Sequence, residues 1–277
     1  MPNRFVLHEF AQAVRFKTLR AYRNNDWRQV PIKDNGESLV SIPELVIRPN
    51  IPEEVKCAFP YYHTYLGITD DKRLFARRTV VLEKLAKAQE IMRGFRCHLA
   101  VYAAWHSNFM QDKLFWIYMK QFTARKFNLE TKFEGAQEPE KIREVFLSLP
   151  DTMRVTLMRE NRTHTGPASD NPAIPSPHTT GGALNVWPYS GGEPLDLGIP
   201  YNWMCEEAGA FYHLKRGHKK FVGNDRLIVY NRDMLIYAMV KAGFSCYGPQ
   251  IWHFNYGNQM HALVTRQKEA IYGHIEL

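Results

Sequence analysis

The chain has 277 residues, 45% of them hydrophobic, and a formal charge of +8. That is enough chain for one large domain with a full core. No apolar run is long enough to cross a bilayer, and the first residues lack the apolar core and cleavage site of a secretory signal. These features predict a cytoplasmic protein with no membrane partner. The basic residues are spread along the chain, and the densest group (Lys215, Arg216, Lys219, Lys220) reads as a solvated face. Nucleic acid is therefore not expected as a partner. Cys57, Cys97, Cys205 and Cys246 form no CxxC pair and read as buried free thiols.

Residues 1–55 read as an N-terminal extension, with a helix over Leu7–Tyr22 and then turn-rich sequence. Residues 56–277 form the main domain. A helix is predicted over Leu74–Met92, with Leu74, Val81, Leu85, Ala88 and Met92 on one face and Arg77, Arg78, Lys84 and Lys87 away from it. A strand follows over Phe95–Ala104, then helices over Asn108–Phe122 and Pro139–Leu149. The proline-rich stretch Asn161–Pro177 reads as a long loop, of the kind that tends to be functional. Gly182–Trp187 reads as a strand and Asn231–Ala242 as a helix closed by Gly243. Trp252–Tyr256 and Ala262–Thr265 read as two strands joined by a turn at Gly257 and Asn258. Strands and helices do not alternate regularly, which predicts an α+β fold with a largely antiparallel sheet packed with helices.

Two segments carry candidate chemistry: Ser176-Pro-His178-Thr-Thr-Gly181-Gly-Ala183-Leu-Asn185 and Gln250-Ile-Trp252-His253-Phe-Asn-Tyr256-Gly257. The first resembles the S-x-H-x-x-G-x-A-x-D motif of the VanX-type D-alanyl-D-alanine dipeptidases, a zinc D,D-peptidase family. The second resembles that family's E-x-W-H-x-x-Y-G motif. Asn231–Phe244 looks like the helix ahead of the second motif, and Val101–Ser107 lines up with the family's V-x-D-G-Y-R-P strand end. Leu66-Gly67 and the Ala86–Gln89 helix also look similar. The likeness runs over roughly residues 58 to 265 apart from the middle, and it implies a dipeptidase-like fold.

A catalytic zinc needs three protein ligands and an open position for water. The resemblance puts these at His178, Asn185 and His253, the general base at Gln250 and the oxyanion-stabilising arginine at His106. Both histidines match, but the aspartate, glutamate and arginine are replaced by an amide, an amide and an imidazole. Asparagine brings no negative charge to a metal, and glutamine cannot take a proton at neutral pH. Histidine cannot fork two hydrogen bonds onto an oxyanion as arginine does. His106 then has two readings: an acid/base group, or a third ligand beside His178 and His253 in a site for zinc, iron or copper. The site is also open to a metal-free reading. Ser176, Asn185, Trp252 and Tyr256 are candidate substrate contacts, with core packing as the other reading of the two aromatics.

Three functions follow. One is a remodelled enzyme acting on an amino-acid-like or dipeptide-like molecule by chemistry other than zinc hydrolysis. A second is a non-catalytic relative that binds such a ligand or a protein partner, and a third is a zinc dipeptidase that tolerates these residues. The extension and the proline-rich loop are expected to cover the mouth of the cleft or to form an oligomer contact.

Overall fold

A largely antiparallel sheet carries the fold. The computed structural model describes residues 1–23, 25–42, 56–57, 74–217 and 219–277. Leu66-Gly67, His63, His218 and the boundary expected near residue 55 lie outside them. The described strands of the main sheet are β2 (Lys56–Cys57), β4 (His98–Ala103), β5 (Ala183–Ser190), β6 (Glu193–Pro194), β7 (Ser245–Tyr247) and β8 (Gln250–Asn255). Their order is β2-β4-β5-β8-β7, with β6 paired to β5. β2 runs parallel to β4, and the other pairs are antiparallel. The fold is α+β, as the sequence predicts.

The helices are α1 (Arg4–Tyr22), α2 (Ala86–Gly94), α3 (Asn108–Tyr118), α4 (Pro139–Ser148), α5 (Asp151–His164), α6 (Asp225–Lys241) and α7 (Gln259–Thr265). Helices α1 and α2 pack on α6, and α2 also packs on β4. The main core lies there, with Leu99, Val101, Leu184, Val186, Leu235 and Met239 fully buried. A second core, built on Phe115, Trp116, Phe133, Ile142, Phe146 and Leu157, joins α3, α4 and α5. Burying each such side chain contributes about 2 kcal/mol.

Three local expectations differ from the structure. Phe75–Arg77 is a strand, β3, paired antiparallel with β1 (Leu39–Ser41), and the helical turn begins after it. Arg77 is not on a solvated face: it is 1% exposed. Its guanidinium donates to Thr180 O at 2.8 Å, Asp34 Oδ2 at 2.7 Å, Gly273 O at 3.1 Å and the Glu37 carbonyl. These long-range partners outweigh helix periodicity at this position. Ala262–Thr265 belongs to helix α7, not to a strand. Asn258 caps that helix by accepting from His261 N at 3.0 Å, an interaction worth about 1 kcal/mol. The loop expected from Asn161 begins later, because α5 runs to His164.

Cys97 and Cys246 are buried and Cys205 is half-buried, and all three are free thiols. Among the described residues no helix is long and apolar enough to cross a membrane.

Candidate functional site

The first motif is held by its own backbone requirements. Pro177 leads into a short turn, His178–Thr180, which Gly181 closes at φ +68°. Side chains rarely adopt that conformation, so glycine fits there. A Cβ on Gly182 would lie 2.3 Å from the Tyr256 carbonyl oxygen, so the two motifs meet backbone to backbone. Arg77 holds the Thr180 carbonyl from behind. His178 is thereby fixed at the entry to β5, and Asn185 follows on that strand.

The second motif depends on a register shift. In a regular strand, Gln250 and His253 would point to opposite faces, because side chains alternate. The β7–β8 ladder is irregular: Cys246 pairs with Phe254, while Tyr247 pairs with Gln250. A bulge of this kind re-aims side chains, and both Gln250 and His253 line one cleft. Asn185 lies directly opposite His253 in the β5–β8 ladder. His106 stands between β4 and the Ser107 cap of α3, and its backbone N–H reaches the His178 carbonyl at 3.4 Å.

The cleft has a volume of about 510 Å³. His106, Ser176, His178, Asn185, Gln250 and His253 all line it. Trp252 does not: it is fully buried against Trp187 and Tyr201. Tyr256 also lies outside, packed on His261 and Tyr272. His261 is buried on α7, away from the surface position a lone histidine usually takes. The Ser176 hydroxyl donates to Pro167 O at 3.1 Å, which ties the proline-rich segment to the motif.

The three imidazoles pack together. His106 stacks on His178 with centroids 4.4 Å apart and planes 18° from parallel. His253 meets His178 edge-on at 4.8 Å. His178 Nδ1 faces the Ala104 carbonyl, and Asn185 Oδ1 lies 3.1 Å from His253 Nδ1 and close enough to His178 to oppose part of its burial effect. His253 Nε2 lies 3.2 Å from Asn255 Oδ1. Burial pushes His178 down to about 4, against the smaller opposing effects of Ala104 and Asn185. Burial and the neighbouring His178 hold His253 well below the usual histidine range. Both rings are neutral at pH 7.

A zinc ion does not fit this donor set. His253 has both ring nitrogens engaged by amide side chains, and Asn185 brings a neutral amide beside the imidazoles where an anionic ligand would be needed. His106 lies nearly parallel to His178, so the two rings overlap instead of aiming nitrogens at one point. Among the described residues no group of three or more His, Cys, Asp or Glu is arranged to hold a metal ion.

Several lining residues escaped the sequence reading. Gln111 lies 3.5 Å from His106 Nδ1 through its Oε1 and donates to Gly166 O at 2.6 Å, which links the histidine to the proline-rich segment. Tyr247 packs its ring on His253 at 5.2 Å. Trp27 and Arg28, from the N-terminal region, and Arg162 of α5 also line the cleft. The His253–Asn255 pair was accessible in principle, since residues two apart on a strand share a face. The others come from distant segments and left no local signal.

No family model matches the chain. A D-alanyl-D-alanine dipeptidase of Synechocystis sp. is 25% identical over 264 residues, which cover 89% of this chain and 95% of that protein. The chain is thus similar, distantly and over most of its length, to a D-alanyl-D-alanine dipeptidase.

Proposed function

We propose that the chain is a remodelled dipeptidase-like enzyme. It binds an amino-acid-like or dipeptide-like molecule in this cleft and moves a proton on it with histidine, without zinc-assisted hydrolysis. The observation that supports this best is Asn185, a neutral amide hydrogen-bonded to the buried, neutral His253 and close beside the buried, neutral His178. A neutral imidazole can take a proton, and a depressed pKa makes its conjugate acid a good donor. His106 stacks on His178 at the end of β4 and is the candidate acid/base group. Gln250 cannot take a proton and serves to orient the ligand by hydrogen bonding. Ser176 and Asn185 are the other candidate ligand contacts. The dipeptide-like ligand is inferred from the named relative and from a cleft volume suited to a small molecule.

The test is proton NMR of a dipeptide panel in D2O with a chelator present. It reports bond cleavage, Cα exchange and rearrangement alike. The expected result is metal-independent turnover that His106→Ala abolishes while ligand affinity is unchanged. If the wild type binds a dipeptide and never turns it over, the chain is a binding protein. If His106→Ala changes neither binding nor turnover, His106 only packs on its neighbours and the proposal fails.

A further inference from the structure

The charged side chains around the cleft are of one sign. Arg28 and Arg162 line it, and no aspartate, glutamate or lysine does so among the described residues. The remaining polar lining consists of amides, hydroxyls and the three imidazoles. Asn185, Gln250, Gln111 and Asn202 each bring both donors and an acceptor and so favour neither sign of charge. The formal charge lining the cleft is therefore cationic and set by the two arginines.

The two arginines come from separate elements. Arg28 stands in the short helical turn Trp27–Gln29, stacked over the Trp27 ring at 4.6 Å. That turn is anchored to α7, where Gln259 Nε2 donates to Val30 O at 2.6 Å. Arg28 is close enough to the half-buried Tyr247 to counter part of the upward shift that burial gives its hydroxyl. Tyr247 in turn packs on His253, which puts one aromatic ring of the cleft wall between this turn's charge and the imidazoles' side of the lining. Arg28 also pairs with Asp26 at 3.1 Å, but both partners are about half exposed, so that pair is weak and exchangeable. Arg162 lies near the end of α5, beside Thr165 and Gly166 of the proline-rich segment, which also line the cleft.

We propose that the cleft selects an anionic ligand, with Arg28 and Arg162 capturing its carboxylate or an equivalent oxyanion at the mouth while the imidazoles meet the rest of the molecule. Guanidinium groups suit this role because their planar fork matches carboxylate and phosphate geometry. This rests on the proposed small-molecule reading of the cleft. It adds which end of the ligand is gripped, and it gives the N-terminal region a direct part in binding.

The test is isothermal titration calorimetry of the full chain and of Arg28→Gln, Arg162→Gln and the double variant. The probes are D-alanyl-D-alanine, its C-terminal amide and inorganic phosphate. The free acid should bind at least about tenfold more tightly than the amide. The double variant should lose that preference and keep its affinity for the amide. If acid and amide bind alike, or the preference survives in the double variant, the anion inference is overturned while the dipeptide reading stands. If phosphate binds and depends on both arginines while neither dipeptide binds, the dipeptide reading fails and the anion inference stands. If no probe binds, both fail.

Discussion

Two histidine clusters of the described structure, one in the cleft and one around Asp233, differ in one respect that decides their chemistry. In the cleft, His106, His178 and His253 surround amides and have no carboxylate among them. On the other side of the core, Asp233 of α6 is 1% exposed and is gripped by two histidines. Its Oδ1 lies 2.8 Å from His213 Nε2, and its Oδ2 lies 2.9 Å from His8 Nδ1. Burial lowers His213 as it lowers His178, but Asp233 opposes that effect with both a hydrogen bond and its charge. The Asp233 cluster therefore works as a clamp holding α1 on α6. The cleft cluster has no carboxylate to hold, and burial keeps His178 and His253 below the usual histidine range.

The comparison can be broken most sharply at Asp233. Asp233→Ala strands two histidines around a cavity, and it should cost about 3 kcal/mol in urea unfolding. His8→Ala should cost about 1 kcal/mol or less, because His8 is 38% exposed at its side chain and part of its attraction is screened. Equal losses from the two variants would show that the clamp is not centred on Asp233.

Acid probes the cleft cluster next. His178 has a pKa of about 4 in the folded chain against an ordinary 6.5. Between those values the unfolded chain binds more protons, so stability is full above pH 6.5 and falls as pH drops toward 4. The loss from this one side chain is roughly 3 kcal/mol. Denaturant titrations across that window should show the slope, and His178→Gln should reduce it by about one proton. An unchanged slope in the variant would place the sensitivity elsewhere.

Much of the fold was legible because it rests on local pattern. The α3 helix begins where Ser107 caps it, α4 starts on Pro139, and the Gly181-Gly182 pair marks the tight approach of two motifs. The misread elements are those decided by distant partners. Phe75–Arg77 has helical periodicity, yet it pairs with Leu39–Ser41 and buries a guanidinium among Asp34, Thr180 and Gly273. The site shows the same division. His178, Asn185, Gln250 and His253 were found from two short motifs and His106 from the strand end before them, and the register shift that turns Gln250 and His253 into one cleft explains their spacing. Arg28, Arg162, Gln111 and Tyr247 are brought in by tertiary packing, and nothing in their immediate sequence announces them.

We propose that amides, Asn185 and Gln250, stand where a zinc hydrolase needs charges. The most direct measurement is zinc binding and D-alanyl-D-alanine hydrolysis, side by side, for the wild type and the double variant Asn185→Asp/Gln250→Glu. The wild type should bind zinc weakly and show no useful hydrolysis even with zinc added, and the variant should bind zinc more tightly and hydrolyse the dipeptide measurably. A wild-type chain that holds stoichiometric zinc and cleaves the dipeptide efficiently would contradict it.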